Sequence, residues 1–174
     1  ADLAGTTPTE ASLIQGSARA ARSTGVALSL RWGADVRTDL ALALGEGLPA
    51  DRIVVADIDR AEALSSGVAA ELAAQGVYVA IDHVGQSRAG YLSDAARVEL
   101  VVDLIARGFV ERILLSSNSI GVAAGLDPVD VPLEFVATNF ASALRQSGVS
   151  DDDVTRILVD NPRDVLTVRG GTQA

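Results

Sequence analysis

The 174-residue sequence contains no cysteine, no methionine and a single histidine, His83. Without cysteine there is no disulfide, no thiolate nucleophile and no cysteine-ligated zinc. One histidine excludes a histidine-rich metal cluster within these residues. Aromatic residues make up only 3% of the chain, so the core must be assembled from Val, Leu, Ile and Ala. Basic residues are outnumbered, 14 Lys+Arg against 23 Asp+Glu, for a formal net charge of −9. That balance leaves no electrostatic footprint for nucleic acid and no basic patch for anionic lipid; acidity of this kind serves solubility. No apolar run has the length of a membrane span, and the N-terminus lacks the basic-then-apolar pattern of a signal peptide. A cytoplasmic location with no membrane partner is therefore expected. The missing methionine means that residue 1 is not an unprocessed start, so either the N-terminus is processed or the chain is a piece of something longer.

What is present is a strongly apolar chain, 48% hydrophobic, which excludes disorder. Its length suits one domain over residues 1–174, with 169–174 expected as a frayed tail. Thr7-Pro8-Thr9-Glu10 reads as a helix start with a capping box. Gly25-Val26 ends that helix, and the same helix–Gly–apolar form returns at Gly47-Leu48, Gly76-Val77, Gly108-Phe109 and Gly148-Val149. Helices are expected over ~37–46, ~60–75, ~93–107 and ~132–147. Ser93 caps the third, whose buried stripe is Val98, Val101, Val102 and Ile105. Ser150 with Asp153 caps a short helix, and Asn161-Pro162 starts a final turn.

Four apolar stretches separate these helices, Val26–Arg31, Ile53–Asp57, Val77–His83 and Ile113–Asn118. Strands alternating with helices imply parallel pairing with right-handed crossovers. Two forms fit, a small doubly wound sheet or half of a (β/α)8 barrel. The loops Trp32-Gly-Ala-Asp, Ile58-Asp-Arg, Val84-Gly-Gln-Ser and Ser119-Ile-Gly carry neither a dinucleotide fingerprint nor a Walker loop. The chain is also short for a whole barrel of roughly 250 residues. A four-stranded half of a TIM-type barrel is the better fit.

Each stretch runs into a polar residue, Arg31, Asp57, His83 or Asn118, where such folds place their chemistry. The quartet has three readings: satisfied polar strand ends with no chemistry, a site using Asp57 or His83 as base, or a retained metal site. Arg31 carries a permanent charge that repels a divalent cation, and an ion pair between Arg31 and Asp57 is expected. Asn118 can donate and accept hydrogen bonds but cannot serve as a base. Trp32 either lines the pocket mouth, contacting substrate together with Arg31, or packs under a loop. Asp59 is expected to cap the ~60–75 helix. Asp82, alternating with His83, is expected to face away from the barrel axis as a structural residue.

The run from Tyr91 through Asp94, Arg97 and Gly108-Phe109 to Ile113-Leu-Leu-Ser-Ser-Asn118 resembles the penultimate helix and last strand of the phosphotriesterase family, in the amidohydrolase superfamily. Gly148–Leu166 resembles its C-terminal helix and Asn-Pro segment, and Val79-Ala-Ile-Asp-His83 its seventh strand end. The resemblance implies an eight-fold barrel, of which this chain matches the second half. It also implies two divalent metals, usually zinc, and hydrolysis of small lactones or organophosphate esters. The family's strand-five His falls on Arg31, its strand-six His on Asp57 and its strand-eight Asp on Asn118. His83 is similar to an outer-shell His of some members. The first-strand His-x-His pair and the fourth-strand carboxylated Lys have no counterpart. Together these imply a degenerate site in which Asp57, His83 and Asn118 hold the catalytic positions, with no metal cofactor. A half-barrel leaves two strand edges and an apolar inner face uncovered, so a homo-oligomer or a missing N-terminal half is the expected partner. The alternative is a non-catalytic homologue serving as scaffold or partner subunit.

Overall fold

The computed structural model describes residues 5–119, apart from 34 and 66, and residues 131–170. The expected strands are present as β1 (Leu28–Arg31), β2 (Ile53–Ala56), β3 (Tyr78–Ile81) and β4 (Ile113–Leu115). They form one parallel sheet in the order β1-β2-β3-β4. The helices are α1 (Pro8–Thr24), α2 (Val36–Gly45), α3 (Ala61–Ser65), α4 (Val68–Ala74), α5 (Asp94–Ala106), α6 (Ala141–Gln146), α7 (Asp151–Thr155) and α8 (Asn161–Leu166).

The register explains how the core forms. Leu30, Val55, Val79 and Ile113 stand in one row across the four strands. Their face packs on Ala18 of α1, Leu40 of α2, Leu72 of α4, Leu104 of α5, Leu144 of α6 and Ile157. Small alanines let the helices approach the sheet closely. Because strand side chains alternate, the other face carries Ser29, Arg31, Val54, Ala56, Tyr78, Ala80 and Leu114. An uncovered apolar face was expected there. On it Val54, Ala56 and Leu114 are half-buried, Tyr78 and Ala80 are buried, and Ser29 and Arg31 are polar and exposed.

The local signals hold at most helix ends. Thr7 and Glu10 form the capping box, with the Thr7 amide donating to Glu10 Oε2 at 2.8 Å. Ser93 and Ser150 accept from the amides of Ala96 and Asp153. The buried face of α5 is turned from the expected stripe, because Arg97, Leu100 and Leu104 share it with Val98 and Val101, while Val102 and Ile105 are half-buried. The single helix expected over ~60–75 is broken at Gly67, which takes a left-handed φ of 66° and starts α4.

The last two helices are continuous rather than separate. A π turn over Arg156–Asp160 joins α7 to α8, and its wider register accommodates Pro162, which lacks an N–H and would clash with the preceding turn of a regular α-helix. Asn161 is buried, and its amide donates to the carbonyls of Val110 and Ile113 at 2.8 Å each, tying this helix to the start of β4. The tail was expected to fray from Arg169. Instead the Arg169 amide donates to the Gly25 carbonyl at 3.0 Å and its guanidinium meets Asp51 at 2.6 Å. Residues 171–174 lie outside the described residues. Gly25 has a φ of 77°, and a Cβ there would stand 1.5 Å from the Arg169 carbonyl oxygen, so only glycine permits this closure.

Candidate functional site

All four strand-end residues come together in strand order. Arg31 Nε donates to Asp57 Oδ2 at 2.6 Å. Asp57 Oδ1 lies 3.9 Å from His83 Nε2, and Asn118 Nδ2 lies 3.3 Å from the same nitrogen. The expected Arg31–Asp57 ion pair is thus present, with Asp57 buried and Arg31 largely exposed. Its hydrogen bond to Asp57, followed by the Asp57 charge, raises the Arg31 pKa above its ordinary value.

Asp57 and Asn118 are also the two non-glycine residues with positive φ among the described residues, at 62° and 47°. Asp and Asn tolerate this region better than other side chains, at a cost of about 1 kcal/mol or more each. Strain of this kind gathers where a backbone must aim a side chain. Asp57 directly follows β2 and Asn118 lies three residues past the end of β4, so both stand at the strand-end rim.

His83 is fully buried and oriented from behind. Its Nδ1 is 3.1 Å from Asp59 Oδ1, and its amide donates to Asp59 Oδ2 at 3.0 Å. The same Oδ2 accepts from Arg97 Nε at 2.8 Å. Asp59, fully buried, is therefore an acceptor throughout, which places the ring proton on Nδ1 and leaves Nε2 to accept from Asn118. Asp59 was expected as a helix cap. It turns away from α3 because a buried guanidinium and an imidazole offer stronger, charge-assisted partners than a solvent-facing helix end. Arg97 is fully buried as well and also meets Asp94 at 2.7 Å.

Asp82 links the strand ends, accepting from the Asp57 amide at 2.8 Å and from the Ser116 hydroxyl at 3.2 Å. Burial raises its pKa, against the opposing pull of those two hydrogen bonds. Trp32 is half-buried and packs on the hydrophobic core, held by an amide bond to the Ala56 carbonyl. Asp59, Arg60, Tyr91 and Arg97 surround His83; Asp59 was expected only as a helix cap, and the other three were given no site role from the sequence. The available signal was the spacing Asp57-x-Asp59 at one strand end and Asp94-x-x-Arg97 in the first turn of α5.

Each of these donors already has a partner. The carboxylate of Asp57 is engaged by a guanidinium, Asn118 offers a neutral amide, and His83 Nδ1 is turned to Asp59. Among the described residues no group of three or more His, Asp or Glu side chains is placed to hold a metal ion. Nor is any helix of these residues long and apolar enough to cross a membrane.

Comparisons with known proteins agree with this architecture. The phosphotriesterase homology protein of Mycobacterium tuberculosis is 28% identical over a 182-residue alignment covering 99% of this chain and 55% of its own. The crystal structure of the Escherichia coli phosphotriesterase homology protein, complexed with phosphate in its active site, superposes with a TM-score of 0.76. It is 25% identical and is matched over 96% of this chain and 58% of its own. The N-acetyltaurine hydrolase of Dictyostelium discoideum is 24% identical over 87% of this chain and 44% of its own. The chain spans about half the length of the curated relatives it matches, and its four parallel strands correspond to about half of their TIM-type barrel. The sequence model of the Phosphotriesterase family matches residues 1–166, and the chain belongs to that family.

Proposed function

We propose that this chain is a hydrolase-like phosphotriesterase module whose metal-ligand positions are degenerate, so that on its own it does not carry out the metal-dependent hydrolysis of lactones or organophosphate esters. The observation that carries this is the 2.6 Å contact between Arg31 and Asp57, which puts an ion pair where the resemblance implies two metal-binding imidazoles. A guanidinium keeps its charge across the physiological range and repels Zn²⁺ at that distance. The base position holds Asn118, which takes up no proton from water. All fourteen basic residues are arginine, so no lysine is present to be carboxylated.

What remains is a binding surface. Its partner, we infer, is a second half-barrel, either another copy or an N-terminal half, paired through the two edge strands β1 and β4. The test is restoration. Arg31→His, Asp57→His and Asn118→Asp combined, supplied with zinc, are expected to give no hydrolysis of a lactone or a phosphotriester above the parent chain. Turnover by the triple variant alone would show that these positions need only the right side chains, and would remove the half-barrel part of the proposal.

A further inference from the structure

Arg31, Arg60 and Arg88 gather round one ring at the strand-end face. Arg60 Cζ stands 4.9 Å from the Tyr91 centroid and its Nη2 donates to the Tyr91 hydroxyl at 3.0 Å. Arg88 Cζ stands 5.6 Å from the same centroid. Tyr91 is a smaller cause, after Asp57, of the raised Arg31 pKa. Of the three, only Arg31 has a carboxylate partner among the described residues, Asp57. Arg60 is half-buried, and its Nε is buried with no acceptor. Three like charges with one counter-charge are costly to hold together, more so for a guanidinium drawn out of water. In a chain of net charge −9, with acidic residues available elsewhere to pair with them, this is a local reversal of sign.

The cluster is rigidly built. Arg60 and Tyr91 face each other in an antiparallel bridge, reinforced by Ala61 N to Gly90 O at 3.1 Å and Leu92 N to Asp59 O at 2.9 Å. The Tyr91 ring packs on His83 with centroids 3.9 Å apart. The platform is therefore fixed through His83 to the buried Asp59. Beside it lies a cleft of about 260 Å³ bordered by Gln86, Ser87, Arg88, Tyr91, Ser93 and Asp94, the last a carboxylate already engaged by Arg97 and the Gly85 amide. Unsatisfied guanidinium donors on a fixed platform bind oxyanions through charge-assisted, often bidentate hydrogen bonds, with little ordering cost.

We propose that Arg60 and Arg88, with Arg31 at the rim, form a metal-independent site for a phosphate group, either free or carried by a small monoester. This names the ligand class for the binding surface described above and rests on that reading only for its location.

The test is calorimetric titration of the full chain with inorganic phosphate and, separately, phenyl phosphate, both in excess EDTA. Binding at about millimolar or tighter is expected for at least one of them, and the one that binds identifies the source. Arg88→Gln, at an exposed position, is expected to weaken binding about tenfold, and Arg60→Gln at least as much; Arg60→Lys should recover part of the loss. No binding of either probe, or affinity unchanged in Arg88→Gln, would overturn the site. Phosphate binding that appears only when zinc replaces EDTA would overturn both this site and the metal-free reading. Zinc uptake alongside arginine-dependent binding in EDTA would remove only the latter.

Discussion

Replacing Asp59 with Ala is expected to destabilise the fold by about 3–5 kcal/mol, the largest effect expected of a single polar substitution among the described residues. Its carboxylate is fully buried and accepts from Arg97 Nε, the His83 amide and His83 Nδ1. Truncation strands a buried guanidinium and frees the imidazole to rotate. Arg97 keeps Asp94, which prevents the loss from being larger. Asp59→Asn retains an acceptor and should cost about half as much. Pairing Asp59→Leu with Arg97→Met removes both charges together and should recover most of the stability. Urea denaturation of the three variants beside the parent chain measures this. A cost below about 1 kcal/mol for Asp59→Ala would mean that the buried network contributes little.

The second large effect is expected at the opposite end of the sheet. Arg52 is buried, and its guanidinium donates to the carbonyls of Gly25, Asp164 and Thr167 at 3.0, 3.1 and 3.1 Å. One side chain thus satisfies three carbonyls, of which Gly25 also accepts from the Arg169 amide. Arg52→Ala is expected to cost about 2 kcal/mol, roughly one for each of the two acceptors left bare, Asp164 and Thr167. Burial lowers the Arg52 pKa, so part of that loss is offset by no longer desolvating a charge. The same substitution should release the segment after α8, read as faster proteolysis between Asp164 and Gly170. Unchanged protection of that segment would place its anchoring elsewhere, at Arg169 and Asp51.

The two networks show which parts of the structure could be read from the residues in order. Caps and strand ends are local: Thr7 with Glu10, Ser93, Ser150 and the quartet itself each announce themselves within a few positions, and all were legible. Asp59 was misjudged because a carboxylate just before a helix is ordinarily a cap, and only the fold brings Arg97, thirty-eight residues on, to its other side. Arg60 and Tyr91 were missed for the same reason, since the bridge that pairs them spans thirty-one positions. Arg97 also shifted the buried face of α5, because periodicity counts apolar side chains and not a buried ion pair. The tail looked frayed from its composition, and the Gly25–Arg169 contact that holds it is a backbone pairing with no side-chain signature.

The quartet was legible in its location. Parallel strands deliver Arg31, Asp57, His83 and Asn118 to one rim, and their chemistry sets what the rim can do. Asp57 and Asn118 have a left-handed backbone, and their side chains meet Arg31 and His83.

The most direct measurement is the metal content of the purified chain after incubation with excess zinc and removal of unbound ions by gel filtration. The expected result is no zinc in stoichiometric amount, and no change in metal content for Asp57→Ala. One or more zinc ions per chain, lost on Asp57→Ala, would mean that Asp57 leaves Arg31 for a cation and that the metal centre is intact.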